Sequence, residues 1–231
     1  MTTYYKVLNE DGSCFHGGEG VWPLPTEDGP GEWVEVEGDL IACRNGLHGC
    51  RPKDLFEWFG PAIFVMEYEG EVVVAGDKVV GRKARLVKRT AWDESTARLF
   101  AADCAERALK GERNAGREPD PRSWEAVRVA RAFARGRASD GDQAAARAAA
   151  WDAAQATAWA AAGAAVHAAA PAAAWTAARA AVHAAAWDAV HAAAWTAARA
   201  AAWDAAQATA RAAERGWQLG RLNEYLTGER A

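Results

Sequence analysis

The chain has 231 residues, with 27 Lys/Arg against 31 Asp/Glu, a net charge of −4 and 51% hydrophobic residues. That length is enough for one or two domains with a core that needs no covalent staples, so the four cysteines are not read as a disulfide scaffold. No charged stretch followed by an apolar run opens the chain, and its Ala-rich half is interrupted too often by Trp, His, Arg and Asp to cross a bilayer, so a soluble, cytoplasmic protein without membrane contact is expected.

Residues 1–90 predict a small β-rich head. A short strand is expected over 3–8, ended by the turn signal Asn9-Glu10-Asp11-Gly12. The Gly/Pro-rich stretch 17–31 reads as an irregular loop. Residues 32–37 alternate Trp33, Val34 and Val36 with carboxylates, which suits a one-sided strand. Residues 40–43 form another short apolar run. Pro52 opens a helical turn or two over 52–59, since proline is tolerated at the first helical position. Residues 62–68 and 72–75 read as two strands joined at Glu69-Gly70-Glu71, and 78–88 as a last, basic strand.

Residues 91–231 predict a helical domain. Asp93 or Ser95 caps a helix to about Lys110, and 111–121 reads as a loop. Ser123 caps a helix over about 124–135, closed by Gly136. Asp140 or Asp142 caps the next, and a short helix over 217–226 closes the chain.

Within this half, residues 147–214 form a strict tetrapeptide array. Every fourth position from Arg147 to Arg211 is something other than Ala, while 40 of the 51 residues between are Ala. Ala is the strongest helix former, so helix is the default. Four residues advance a helix by about 400°, so the column of large residues drifts by about 40° per repeat and leaves no continuous apolar face. With Pro171 as a break, helices are expected over about 142–168 and 172–215, packed antiparallel, with Gly216 ending the array. The expected fold class is therefore α+β: a small β-rich N-terminal head, then an all-α, Ala-rich antiparallel bundle of long helices.

Charge is divided along the chain. Residues 1–80 carry 5 basic and 15 acidic residues, 81–137 carry 15 and 8, and 138–231 carry 7 and 8. The acidic head either docks on the basic middle, or segment 82–137 faces nucleic acid. Arg128, Arg131 and Arg135 share a helix face and form the best phosphate-facing stripe, the alternative being a solvated face or contacts to the acidic head. In the array, Trp187, His191 and Trp195 span about 80° of arc and form a local cluster for a protein partner or a second copy of the chain. Cys43, His48 and Cys50, with Cys14 as a fourth, offer a tetrahedral set for structural zinc. The alternative is buried thiols and a hydrogen-bonded histidine in a small β-core. No other cofactor is indicated. No nucleophile–base pair, phosphate loop or carboxylate pair stands out, so binding is expected rather than catalysis.

Two resemblances add context. Phe100-Ala-Ala-Asp103-Cys104-Ala-Glu106-Arg107-Ala-Leu109, then Asp120-Pro121-Arg122, Glu125-Ala126, and Ala130-Arg131 through Gly136 resemble an immunity protein family of bacterial polymorphic-toxin loci. That resemblance implies an all-α fold for this half and neutralisation of a toxin by binding. The array is similar to Ala-rich repeats of phage and actinobacterial proteins. Tyr5-Lys6, Cys43 through Cys50 with its Gly46-Leu47-His48-Gly49 core, Pro52, and Phe64 through Gly70 resemble a small uncharacterised phage domain. The order strand, Gly-Leu-His, short helix, strand is also similar to the ADP-ribosyltransferase core, which implies NAD binding by the head. The expected role is an immunity or anti-defence factor, phage or prophage encoded, whose partner is a toxin or a host defence component.

Overall fold

The computed structural model describes residues 3–116, 118–156 and 200–230. The chain divides into two compact units, one made of Met1–Asp93 with Leu226–Arg230, the other of Glu94–Tyr225.

In the first unit, β1 (Tyr4–Leu8), β2 (Val34–Glu35), β3 (Leu47–Gly49), β4 (Ala62–Ala75) and β5 (Lys78–Arg89) form one antiparallel sheet. β1 flanks β4, β4 pairs with β5, and β2 and β3 follow one another along the other edge of β5. Where two strands are expected over 62–75 there is one. Glu69-Gly70-Glu71 is absorbed as a bulge between Glu69 and Val72, with Gly70 at a φ of 87° that a side chain rarely adopts. The apolar run 40–43 is not a strand either. Ile41 and Asn45 exchange backbone hydrogen bonds of 2.8 Å, and Cys43, at a φ of 64°, helps reverse the chain between them.

Period-two alternation then decides what is buried. Ala62, Phe64 and Met66 of β4 and Ala84 and Leu86 of β5 meet Leu8, Trp22 and Leu47 in one core. Burying a Leu or Phe side chain of this kind stabilises by about 1.5–3 kcal/mol. Trp92 is fully buried, stacks on Phe59 at 4.9 Å and donates its indole N–H to the Gly60 carbonyl. A 3-10 helix, Pro52–Glu57, follows β3 and buries Leu55 and Phe56. Part of the basic middle is used here: Lys83 pairs with Glu69, Arg85 with Glu67 and Arg89 with Glu10.

In the second unit the helices are α1 (Glu94–Asn114), α2 (Pro121–Ala134), α3 (Asp140–Ala156) and α4 (Ala200–Thr227). α1 runs through Gly111 into the expected loop. α2 starts earlier than expected, because Asp120 caps it by accepting from the Arg122 N–H at 2.8 Å and Pro121 takes the first turn. Ser139 and Asp142 cap α3 reciprocally: Asp142 accepts from the Ser139 backbone N–H at 2.8 Å, and its own N–H donates to Ser139 Oγ at 3.2 Å. Ala102, Ala105 and Leu109 of α1 pack on Ala126, Val127 and Ala130 of α2, small side chains that let the two backbones approach.

The expected class, with its antiparallel bundle of long Ala-rich helices, is corrected. What the described residues hold is a five-stranded antiparallel sheet in the first 90 residues, followed by helices, and no pair of long array helices is seen. α3 packs on α2, and α4 does not stop at Gly216 but continues to Thr227. A column of large residues that drifts around a helix offers no lasting apolar face for a long antiparallel pair. Along α4, Leu222 and Tyr225 beyond the array are buried, as is Glu214 at its last position. Residues 157–199 are outside the described part. No described helix is long and apolar enough to cross a membrane.

Candidate functional site

Two concave surfaces stand out, one in each unit. The first is a cavity of about 530 Å³ in the head. Lys6 comes to it from β1, His48 from β3, Lys78 from β5, and Trp58 from just beyond the 3-10 helix. The segment Leu47–Cys50 is held between two neighbours: Leu47, His48 and Gly49 pair with β5, while Cys50 and Tyr5 exchange backbone hydrogen bonds of 2.9 Å. This close fit explains the glycines of the Gly-Leu-His-Gly motif. A Cβ on Gly46 would lie 2.3 Å from a Val80 methyl, and one on Gly49 would lie 2.8 Å from the Tyr68 hydroxyl.

All four zinc candidates, Cys14, Cys43, His48 and Cys50, line this cavity. They do not form a ligand set: among the described residues no three His, Cys, Asp or Glu side chains are grouped to hold a metal ion. The local bonding explains why. His48 Nε2 accepts from the Cys43 backbone N–H at 2.9 Å, which leaves the proton of the neutral ring on Nδ1. Burial, with Lys6 and Lys78 nearby, holds His48 below the usual histidine range against an opposing hydrogen bond with the Gly46 backbone. Burial also pushes the Cys50 thiol up to about 12, so it is not a thiolate at neutral pH. Cys43 is exposed and accepts a contact of 3.1 Å from Lys78 Nζ.

Lys6 donates to the His48 carbonyl at 2.9 Å, and its ammonium sits 5.0 Å from the centre of the Trp22 ring. Burial lowers it from the ordinary lysine value. Lys78 stands 4.8 Å from the centre of the Trp58 ring. Trp58 meets His16 edge-on at 5.2 Å, and its carbonyl bonds His16 Nε2 at 2.9 Å.

The second surface is a cleft of about 420 Å³ along α2. The three arginines chosen from the sequence, Arg128, Arg131 and Arg135, all line it, joined by Arg137 and Trp124. Their partners divide them. Arg128 is held by Glu125 at 2.7 Å. Arg131 reaches Asp103 at 2.6 Å and Glu106 at 2.5 Å, so it ties α2 to α1. Arg135 and Arg137 are exposed and have no carboxylate partner among the described residues.

Asp103 is the centre of a buried network. It also accepts from the Tyr225 hydroxyl at 3.0 Å and lies 3.5 Å from Arg221, while Arg107 pairs with Glu214 at 2.6 Å. Asp103, Glu106, Arg107 and Arg131 of the immunity-like motif are thus committed to holding helices together. Lys6, Lys78 and Arg137 were not singled out from the sequence. Only Lys6 carried a signal, a charged residue in an apolar strand. Trp187, His191 and Trp195 lie outside the described residues.

Residues 2–98, which contain the whole head cavity, match the family described as a domain of unknown function (DUF7666). No curated protein and no solved structure matches the chain.

Proposed function

We propose that this chain is a non-catalytic binding factor that uses the α2 cleft to hold an acidic protein partner. The observation that carries this reading is the gathering of Arg128, Arg131, Arg135 and Arg137 with Trp124 on one concave face, two of the arginines having no carboxylate partner among the described residues. Arginine and tryptophan are the side chains most often found at the energetic centre of protein interfaces. An unpaired guanidinium is poised for two-pronged hydrogen bonding to a carboxylate. The inertness of the groups around the head cavity, His48 hydrogen-bonded and Cys50 protonated, also favours binding over covalent chemistry.

The partner is a toxin or a host defence component, in line with the immunity-like motif, and the setting is phage or prophage in a cytoplasm. A nucleic-acid reading of segment 82–137 is weaker, since most cations of β5 and α2 already face carboxylates of their own chain.

The test is capture from host lysate by the full chain and by a variant with Arg135→Glu and Arg137→Glu. A protein retained by the wild type and lost from the variant supports the reading. Equal capture by both overturns it, and so does capture that disappears on nuclease treatment.

A further inference from the structure

The head cavity is in the other unit, and its chemistry is different. The first 80 residues are strongly acidic, with 15 acidic residues against 5 basic ones. The cavity reverses that balance: Lys6, Arg44 and Lys78 line it, and among its lining residues the one carboxylate is Glu19. Three of the five basic residues of this stretch are therefore gathered at one place that nearly all of its acids avoid.

Neither lysine has a carboxylate partner among the described residues. Lys6 spends one N–H on the His48 carbonyl and Lys78 makes its contact with Cys43 Sγ, so each ammonium keeps donors to offer. Both lysines are half-buried, and an ammonium that gives up water without a counter-charge is stabilised by an anion. The walls supply planar surfaces, since Trp22 and Trp58 lie beside the two ammonium groups. Trp58 also has an indole N–H that is buried with no acceptor among the described residues. A volume of about 530 Å³ falls in the range of ordinary small-molecule sites.

We infer that the head cavity is a binding site for a small organic anion, a phosphate or carboxylate carried on a planar ring. The anionic group sits between Lys6 and Lys78, and the ring lies against the tryptophan walls. This activity is independent of the α2 cleft.

The experiment is calorimetric titration of the full chain with adenosine monophosphate, indole-3-acetate and uncharged adenosine. Saturable binding of at least one anion, with adenosine weaker by about tenfold or more, supports the site. The nucleotide and the indole acid separate a phosphate ligand from a carboxylate ligand. Lys6→Met and Lys78→Met each weaken the anion by about tenfold, while Lys78→Arg retains it. If Lys6→Met fails to fold by thermal melting, the two Lys78 variants decide. No saturable heat with either anion overturns the proposal, as does adenosine binding as tightly as its monophosphate, or Lys78→Met binding like wild type.

Discussion

The two units handle charge in opposite ways. In the helical unit the buried charges are matched: Asp103 meets Arg131, Arg221 and Tyr225, and Arg107 meets Glu214. In the head, Lys6 and Lys78 face aromatic rings and a cavity, and neither is ion-paired with a carboxylate among the described residues. A matched charge in a core is a structural device whose partners depend on it. An unmatched one is a standing cost that the fold tolerates where a ligand can supply the missing partner. The difference teaches where to look for function. The arginines inside the immunity-like motif are mostly committed, while the cations left open are Arg135 and Arg137 in one unit and Lys6 and Lys78 in the other.

The largest expected effect breaks the matched side. Asp103→Ala removes the acceptor shared by Arg131, Arg221 and the Tyr225 hydroxyl, although Arg131 keeps Glu106 and Arg221 keeps Glu224, and costs about 2–3 kcal/mol, read by urea unfolding of the full chain. The head counterpart sharpens the contrast. Lys6→Met keeps the length of the side chain and removes the unmatched charge, so its unfolding free energy stays within about 1 kcal/mol of wild type. A loss from Lys6→Met as large as that from Asp103→Ala would erase the distinction between the units.

Next in size is Gly49→Ala. Its Cβ would crowd the Tyr68 hydroxyl and the Met66 sulfur, at 2.8 and 2.9 Å. The cost is about 1–3 kcal/mol by thermal melting, and anion binding in the cavity weakens with it.

A smaller effect belongs to the α2 cap. Asp120→Ala removes the acceptor for the Arg122 N–H and costs about 1 kcal/mol at neutral pH. The Arg122 side chain and backbone hold this carboxyl at about 2, below its ordinary value of 3.8. A depressed carboxylate stabilises the fold above its unfolded value and loses that contribution as pH falls toward the folded one. The difference between wild type and Asp120→Ala should therefore be constant above about pH 5 and shrink on acidification toward pH 2. A difference that grows on acidification would contradict the cap. Smallest is Arg135→Ala, which should change stability by less than about 0.5 kcal/mol while weakening partner capture.

Local features of the fold were legible because they depend on neighbours in sequence. Alternation marked β1 and β5, Pro52 marked the start of the 3-10 helix, and polar residues near 139–142 marked the start of α3. Errors arose where a local signal had two outcomes. Glu69-Gly70-Glu71 looks the same as a turn or as a bulge, and the pairing of β4 along β5 selected the bulge. Gly111 and Gly216 looked like helix ends, but a single glycine costs a helix only about 1 kcal/mol, which packing elsewhere along the same helix offsets.

The sites divide along the same line. Arg128, Arg131 and Arg135 lie at helical spacing, so their shared face was readable directly. That Arg131 is bound by Asp103 and Glu106 was not, since those carboxylates belong to another helix. Cys43, His48 and Cys50 lie close in sequence, and the fold brings Cys14 to the same cavity. Whether they chelate a metal depends on where each lone pair goes, and the Cys43 backbone N–H occupies the His48 Nε2 position.

The sequence by itself determined the periodicities: the strands of the head, the helix caps, and a tetrad array whose drift of about 40° per repeat denies it a lasting apolar face. Tertiary structure alone decided which charges are satisfied. Lys6, His48 and Lys78 come from three different strands, and the register of those strands puts them around one cavity. Spacing along a chain encodes angle and alternation. Whether a charge finds its partner depends on contacts between residues far apart in sequence, and only the folded sheet and helices set those.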